Sequence, residues 1–188
     1  QGVQACVNCD AGSFSAAGAS SCTLCPADST SPEASTSVSA CGCVPGYQGG
    51  NTNCVQCVAG KFKSTVGSNL CSSCAAGSYS DDTGFTACVD CPAGSSTSDV
   101  QSTSLADCRC EAGYTGPDGA ECTACGAGTF KSETGAAGCT NGEAGKFTTD
   151  SGSAVCISCP AGAQTTGEGG DRGICLLVRR WLHGARQQ

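Results

Sequence analysis

Methionine is absent from this 188-residue chain, histidine and tryptophan occur once each, and only five Phe and three Tyr are present. So few large side chains cannot assemble an apolar core able to offset the cost of ordering the backbone. The one histidine, His183, lies near the C-terminal end, so the rest of the chain has no imidazole to activate a serine or cysteine nucleophile. No run of 18 apolar residues occurs, which leaves no candidate for a membrane-spanning helix. Bases are scarce as well: residues 1–175 hold 16 acidic against 6 basic residues, a balance of −10 within an overall −7. An acidic, aromatic-poor surface excludes nucleic acid and anionic membranes as partners, since both need a positive patch. With no initiator Met and no leader at Gln1, the sequence is expected to be a processed product or part of a longer chain.

What is abundant is cysteine, at 20 residues, together with 28 Gly and long tracts of Ser, Thr and Ala. A cysteine content above a tenth of the chain marks a disulfide scaffold, in which crosslinks take the place of a core. Such crosslinks persist in oxidising surroundings, so the expected location is extracellular or at a cell surface.

The cysteines repeat with a fixed ruler. From Cys54 the chain reads C-x2-C, Ala59-Gly60-Lys61-Phe62, a second C-x2-C at Cys71 and Cys74, and Ala76-Gly77-Ser78-Tyr79. A third C-x2-C at Cys88 and Cys91 opens a Ser/Thr run, then come Cys108-Arg109-Cys110 with Gly113-Tyr114, and Cys122-x2-Cys125. The same ruler fits upstream from Cys9 to Cys57 and downstream from Cys125 to Cys175. It divides the chain into cysteine-rich units at 1–53, 54–121 and 122–175, followed by a divergent tail at 176–188. Seven of the eight Phe and Tyr residues stand at two ruler positions: Phe14, Phe62, Tyr79, Phe130 and Phe147 in A-G-x-[FY], Tyr47 and Tyr114 after C-x-C. A ring at a fixed offset from a cysteine is expected to pack on a neighbouring disulfide, with the glycine two residues earlier in a turn conformation. No window keeps helical spacing, so the expected fold is small and disulfide-rich, an elongated tandem array of short β-hairpin and loop modules with little regular secondary structure.

If each cysteine closes with its next neighbour, the pairs are Cys9–Cys22, Cys25–Cys41, Cys43–Cys54, Cys57–Cys71, Cys74–Cys88, Cys91–Cys108, Cys110–Cys122, Cys125–Cys139 and Cys159–Cys175. Interleaving across two C-x2-C pairs fits poorly, because three such pairs in succession cannot be consumed two at a time. Cys6 and Cys156 are left unpaired, the latter because Gly142 occupies the position that Cys74 holds in the middle unit. A free thiol at Cys156 and a Cys6–Cys156 bridge between copies are both open.

Zinc is disfavoured despite the C-x2-C-x13-C-x2-C spacing from Cys54 to Cys74, since the pairs are too numerous and regular for separate metal sites. Asp81, Asp82, Asp90 and Asp118 form no calcium loop. No cofactor and no catalytic residue is expected. The runs Ser29 to Ser39 and Ser95 to Ser104 have the composition of O-glycosylated segments and equally of solvated loops.

The units C-x2-C-x-A-G-x-[FY]-x7–8-C-x2-C-P-A and C-x-C-x-x-G-Y resemble the ephrin-receptor-like cysteine-rich repeat, itself similar to tumour-necrosis-factor-receptor modules and, in its C-x-C half, to the EGF module. The resemblance covers about residues 6 to 175 and implies a strand-poor rod whose modules touch only their neighbours. It fails at Gly142 and after Cys175, where Leu177 stands in place of a cysteine. Two roles follow. One is an extracellular structural protomer of a surface fibre, flagellar-hair-like filament or matrix, which self-associates. The other is a ligand-binding fragment of a receptor or adhesion ectodomain that contacts other extracellular proteins.

Overall fold

The architecture was read from a computed structural model, which describes residues 8–165 and the strand Leu176–Leu177. The calls on Cys6, Cys175, His183 and most of the tail lie outside the described residues.

Each module begins with a tight turn, for a reason visible in its sequence. In Asp10-Ala11-Gly12-Ser13 the Ser13 N–H donates to the Asp10 carbonyl at 3.1 Å while Gly12 takes φ +82. That is the type II turn, whose third position needs positive φ and so selects glycine. The same turn recurs at Gly60, Gly77, Gly128 and Gly145, all with φ between +80 and +86, and at Gly46 and Gly113 before the two C-x-C-linked tyrosines. The residue after the glycine adds a side-chain lock: the Ser13, Ser78 and Thr129 hydroxyls donate back to the carbonyls of Asp10, Ala75 and Gly126.

Behind each turn the chain forms one short antiparallel hairpin, giving ten separate two-stranded sheets among the described residues. Most strands are two residues long, as in Lys61–Phe62 with Ser72–Ser73 and Ser78–Tyr79 with Val89–Asp90. The longest hairpin pairs Tyr47–Gly50 with Asn53–Gln56. Single 3-10 turns at Val38–Ala40 and Leu105–Asp107 lead into the two C-x-C elements. The described residues group into two compact units, one running to Cys91 and taking in Thr97–Asp107, the other comprising Pro92–Ser96 and the residues from Cys108 onward. Each is a succession of these hairpins, the disulfide-rich tandem fold expected from the cysteine ruler.

The ruler aromatics are not equally buried. Tyr79 is the one buried aromatic among the described residues, whereas Phe14, Phe62, Phe130 and Phe147 are half-buried. What fills the interior is cystine sulfur, with Cys41, Cys43, Cys57, Cys74, Cys108 and Cys110 fully buried, together with an unusual set of polar side chains: Ser31, Lys63, Ser80, Thr97, Lys131, Thr148 and Thr165.

With so little buried carbon, reduction is expected to unfold the chain. Closing a loop of about 15 residues contributes about 3 kcal/mol in the chain-entropy model, and these loops are stacked in series. Amide exchange of the reduced, alkylated chain is expected to be unprotected; native protection after reduction would contradict a disulfide-dependent fold.

Candidate functional site

Seven disulfides join Cys9–Cys22, Cys25–Cys41, Cys43–Cys54, Cys57–Cys71, Cys74–Cys88, Cys110–Cys122 and Cys125–Cys139, with Cα–Cα distances between 5.5 and 5.7 Å. Every one links a cysteine to the next in sequence. Cys91, Cys108 and Cys159 are disulfide-bonded as well.

Cys156 carries a free thiol at a half-buried position. Gly142 stands opposite it, its N–H donating to the Gly128 carbonyl at 2.9 Å as Cys74 donates to Gly60. A Cβ placed at Gly142 would lie 3.2 Å from the Cys156 sulfur. Burial pushes the thiol pKa up; the Lys146 ammonium opposes that shift, while Glu143 adds to it. A raised pKa keeps the sulfur as a thiol near neutrality and therefore a poor nucleophile. Lys146 is itself engaged with Glu143 at 2.8 Å, in an exposed pair that adds little stability.

The polar interior is organised around the junctions between modules. The seven turn glycines named above offer their N–H groups to the module that follows. Gly12 donates to the Ser31 carbonyl, Gly46 to Lys63, Gly60 to Ser80 and Gly113 to Lys131, at 2.8 to 2.9 Å. Gly77, Gly128 and Gly145 instead donate to hydroxyls, those of Thr97, Thr148 and Thr165. The recipient is always the residue just past the first strand of the next hairpin, which is why that position is buried and polar.

At two junctions the recipient is lysine. Lys63 is 4% exposed, and its Nζ donates to the carbonyls of Cys43 at 3.2 Å, Tyr47 at 2.7 Å and Gly67 at 2.6 Å. Lys131, also 4% exposed, donates to the carbonyls of Cys110 at 3.5 Å, Tyr114 at 2.5 Å and Gly135. The two sets are the same positions of the ruler, C-x-C, G-Y and the loop past the lysine. An ammonium has three donors and no acceptor, so three converging carbonyls satisfy it fully without a carboxylate. Burial lowers the pKa of Lys63, the direction expected when a cation leaves water.

Sequence reading passed over these lysines because lysine ordinarily marks solvent. A signal was present: lysine follows the A-G-x-F aromatic only at Phe62 and Phe130, the two modules that come after a C-x-C-x-x-G-Y element. After Phe14, Tyr79 and Phe147 the position holds Ser15, Ser80 and Thr148, and the modules of Tyr79 and Phe147 are not directly preceded by such an element.

Burial predicts an unequal response to amine acylation of the native chain. Lys61 and Lys146 are expected to label while Lys63 and Lys131 stay unmodified until the disulfides are reduced, read by peptide mass spectrometry. A lowered pKa would by itself speed labelling of Lys63, so its protection reports access; equal labelling of all four would contradict the buried junctions.

The Ser/Thr runs are also not uniform. Ser31, Thr97 and Ser102 are buried, while Thr36, Ser37, Ser39, Ser98 and Thr103 are exposed. Asp81, Asp82, Asp90 and Asp118 are all exposed, Asp90 on the strand Val89–Asp90 and the others in loops, and no group of three or more metal-ligating side chains converges among the described residues. No helix among them is long and apolar enough to cross a membrane.

Taken together, serial hairpins, disulfides between consecutive cysteines and turn-glycine junctions define an extracellular-type, cysteine-rich repeat module. The family model described as tyrosine-protein kinase ephrin type A/B receptor-like matches residues 60–108. This segment is an ephrin-receptor-like cysteine-rich repeat, and with the many disulfides it points to an extracellular location. No curated protein matches the chain.

Proposed function

We propose that the chain is a structural repeat protein outside the cell, the protomer of a surface fibre, flagellar-hair-like filament or matrix. The observation that carries this reading is that internal repetition falls on the parts that hold modules together. The turn glycines, the cystines and the Lys63 and Lys131 junctions recur in register, down to Gly67 and Gly135, whereas the exposed residues around those two glycines differ: Val66, Ser68, Asn69 and Leu70 in one loop, Thr134, Ala136, Ala137 and Gly138 in the other. The exposed hydroxyls of Thr36, Ser37, Ser39, Ser98 and Thr103 are the positions at which O-glycans would be carried.

The match of residues 60–108 to a receptor-derived family favours a second reading, a ligand-binding piece of a receptor or adhesion ectodomain, with the dissimilar loops as its contacts. Electron microscopy of native material decides between them. Filaments or sheets labelled by an antibody to this chain are expected; dispersed particles that co-purify with a separate ligand protein would overturn the structural reading.

A further inference from the structure

One structural element is built twice, with different surfaces. The hairpin Tyr47–Gly50/Asn53–Gln56 and the loop that Lys63 ties to it recur as the hairpin Tyr114–Thr115/Thr123–Ala124 and the loop of Lys131. On the first, four aliphatic side chains stand in solvent, Val55, Val58, Val66 and Leu70, each 50 to 75% exposed. The ruler places Thr123, Gly126, Thr134 and Gly138 at the same positions of the second, and these are exposed too. Charge changes alongside: Glu111, Glu121 and Glu133 of the second element stand where the first has Val44, Asn53 and Thr65. In a chain with 16 acidic residues none occurs between Glu33 and Asp81, and the two bases in that stretch are Lys61 and the buried Lys63.

The aliphatics of the first element are neighbours. Val55 stands opposite Gln48 in the strand register, so the two side chains share a face. The Gln48 Oε1 accepts the Cys71 N–H at 2.8 Å, which brings Leu70 beside that pair. Val58 follows Cys57, whose Cα lies 5.7 Å from that of its disulfide partner Cys71. Val66 opens the same loop and covers Gly42, its Cγ1 3.3 Å from where a Cβ there would lie. The residues between them, Asn53, Ser68 and Asn69, are polar but uncharged. Single exposed aliphatics are ordinary, whereas a contiguous group marks an interaction surface. Val89, Val100 and Leu105 are exposed as well, yet each stands within two residues of a carboxylate, Asp90, Asp99 and Asp107.

We propose that this acid-free aliphatic face is a self-pairing surface, on which a second copy of the chain seats its own Val55, Val66 and Leu70 about a two-fold axis. The occupant follows from charge. A basic partner gains from carboxylates and a neutral one gives no reason to remove them, so a face cleared of acids fits a partner that is itself acidic. This chain, at −7, is such a partner. Like face meets like face, because seating the aliphatics on the second element instead would desolvate Glu121 and Glu133 without a counter-charge. The contact is isologous and closes at two copies. It goes beyond the fibre-protomer reading and does not rest on it. Four aliphatics a side fall short of a standard interface of about 800 Å² per partner, which places the pairing in the weak, transient class.

The test is sedimentation velocity of the oxidised 188-residue chain between about 10 µM and about 1 mM, a range that spans weak specific association. A monomer–dimer equilibrium is expected. Raising salt from about 20 mM to about 200 mM is expected to tighten it, because screening relieves the repulsion between two acidic chains. Leu70→Glu counts twice in a two-fold contact and is expected to weaken pairing by roughly a hundredfold, with an unchanged disulfide map. Gly138→Glu adds the same charge at the corresponding position of the second element, where a Cβ meets nothing within 4 Å, and is expected to pair as the wild type does. A wild-type chain that stays monomeric, pairing that Leu70→Glu leaves intact, equal weakening by Gly138→Glu, or pairing that salt weakens would each overturn the surface. Native fibres together with a monomeric chain would leave the fibre reading standing and remove this contact. Pairing through this face in material that never forms fibres would do the reverse.

Discussion

Replacing Lys63 by methionine is expected to destabilise the hairpin Tyr47–Gly50/Asn53–Gln56 and the loop to Gly67 by about 3 kcal/mol or more, the scale of stranding several buried acceptors at once. Methionine keeps the length and apolar stem of the side chain but supplies no donor. The carbonyls of Cys43, which is buried, and of Tyr47 and Gly67, which are half-buried, would then lose their shared donor at once. Burying the ammonium has its own desolvation cost, so its net contribution is smaller than the sum of three charge-assisted bonds; the loss on removal is large because three acceptors lose one donor together. In a serial array the damage stays local, and native-state hydrogen exchange reads it as an increase of roughly a hundredfold or more in opening of that hairpin. Lys63→Arg is expected to fail as well, since a planar fork does not match three carbonyls converging on one point. Lys61→Met, beside it on the strand but without such contacts, serves as the control. An effect of Lys63→Met no larger than that of Lys61→Met would show that the junction is not held by the ammonium.

The opposite sign is expected at Gly142. Its backbone already makes the hydrogen bond of a ruler cysteine, and its φ lies outside the left-handed region, so a side chain is tolerated. A cystine places the Cβ of one residue about 3 Å from the sulfur of the other by its bond lengths and angles. A Cβ built on Gly142 would lie 3.2 Å from the Cys156 sulfur, which meets that requirement without backbone movement. The separation of 14 residues also equals that of Cys57–Cys71, Cys74–Cys88 and Cys125–Cys139. Gly142→Cys is therefore expected to crosslink spontaneously to Cys156 and to stabilise the Lys146–Phe147/Ile157–Ser158 hairpin by about 3 kcal/mol, seen as roughly a hundredfold slower local exchange. A variant that keeps two free thiols after oxidative refolding would show that the glycine does not stand in for a missing partner.

These two sites mark how far the sequence could be read. The hairpins, their turns and the position of Gly142 were legible because cysteine and positive-φ glycine have few alternative uses; a glycine at fixed distance from a cysteine repeats only if the backbone repeats. Lys63 and Lys131 were not, because their burial depends on carbonyls that converge only after Cys43, Tyr47 and Gly67 have been brought together by folding. The same holds for the Ser/Thr runs. Composition alone treats Ser31 and Thr97 as equivalent to Ser37 and Ser98, yet the first pair lies at junction positions and the second in loops. The aromatic residues keep their fixed spacing, yet four of the five A-G-x-[FY] rings are half in solvent and Tyr79 is buried, a difference that spacing alone does not carry.

The central claim is that a covalent ladder of consecutive cysteines, rather than an apolar core, sets this fold. It is tested most directly by a non-reducing peptide map of the native protein, digested at acid pH where thiolate exchange is suppressed. The predicted map contains only crosslinks between cysteines consecutive in sequence, from Cys9–Cys22 to Cys125–Cys139, with Cys156 recovered as an alkylatable thiol. A Cys74–Cys156 peptide, or any other bridge that skips a cysteine within this range, would contradict it.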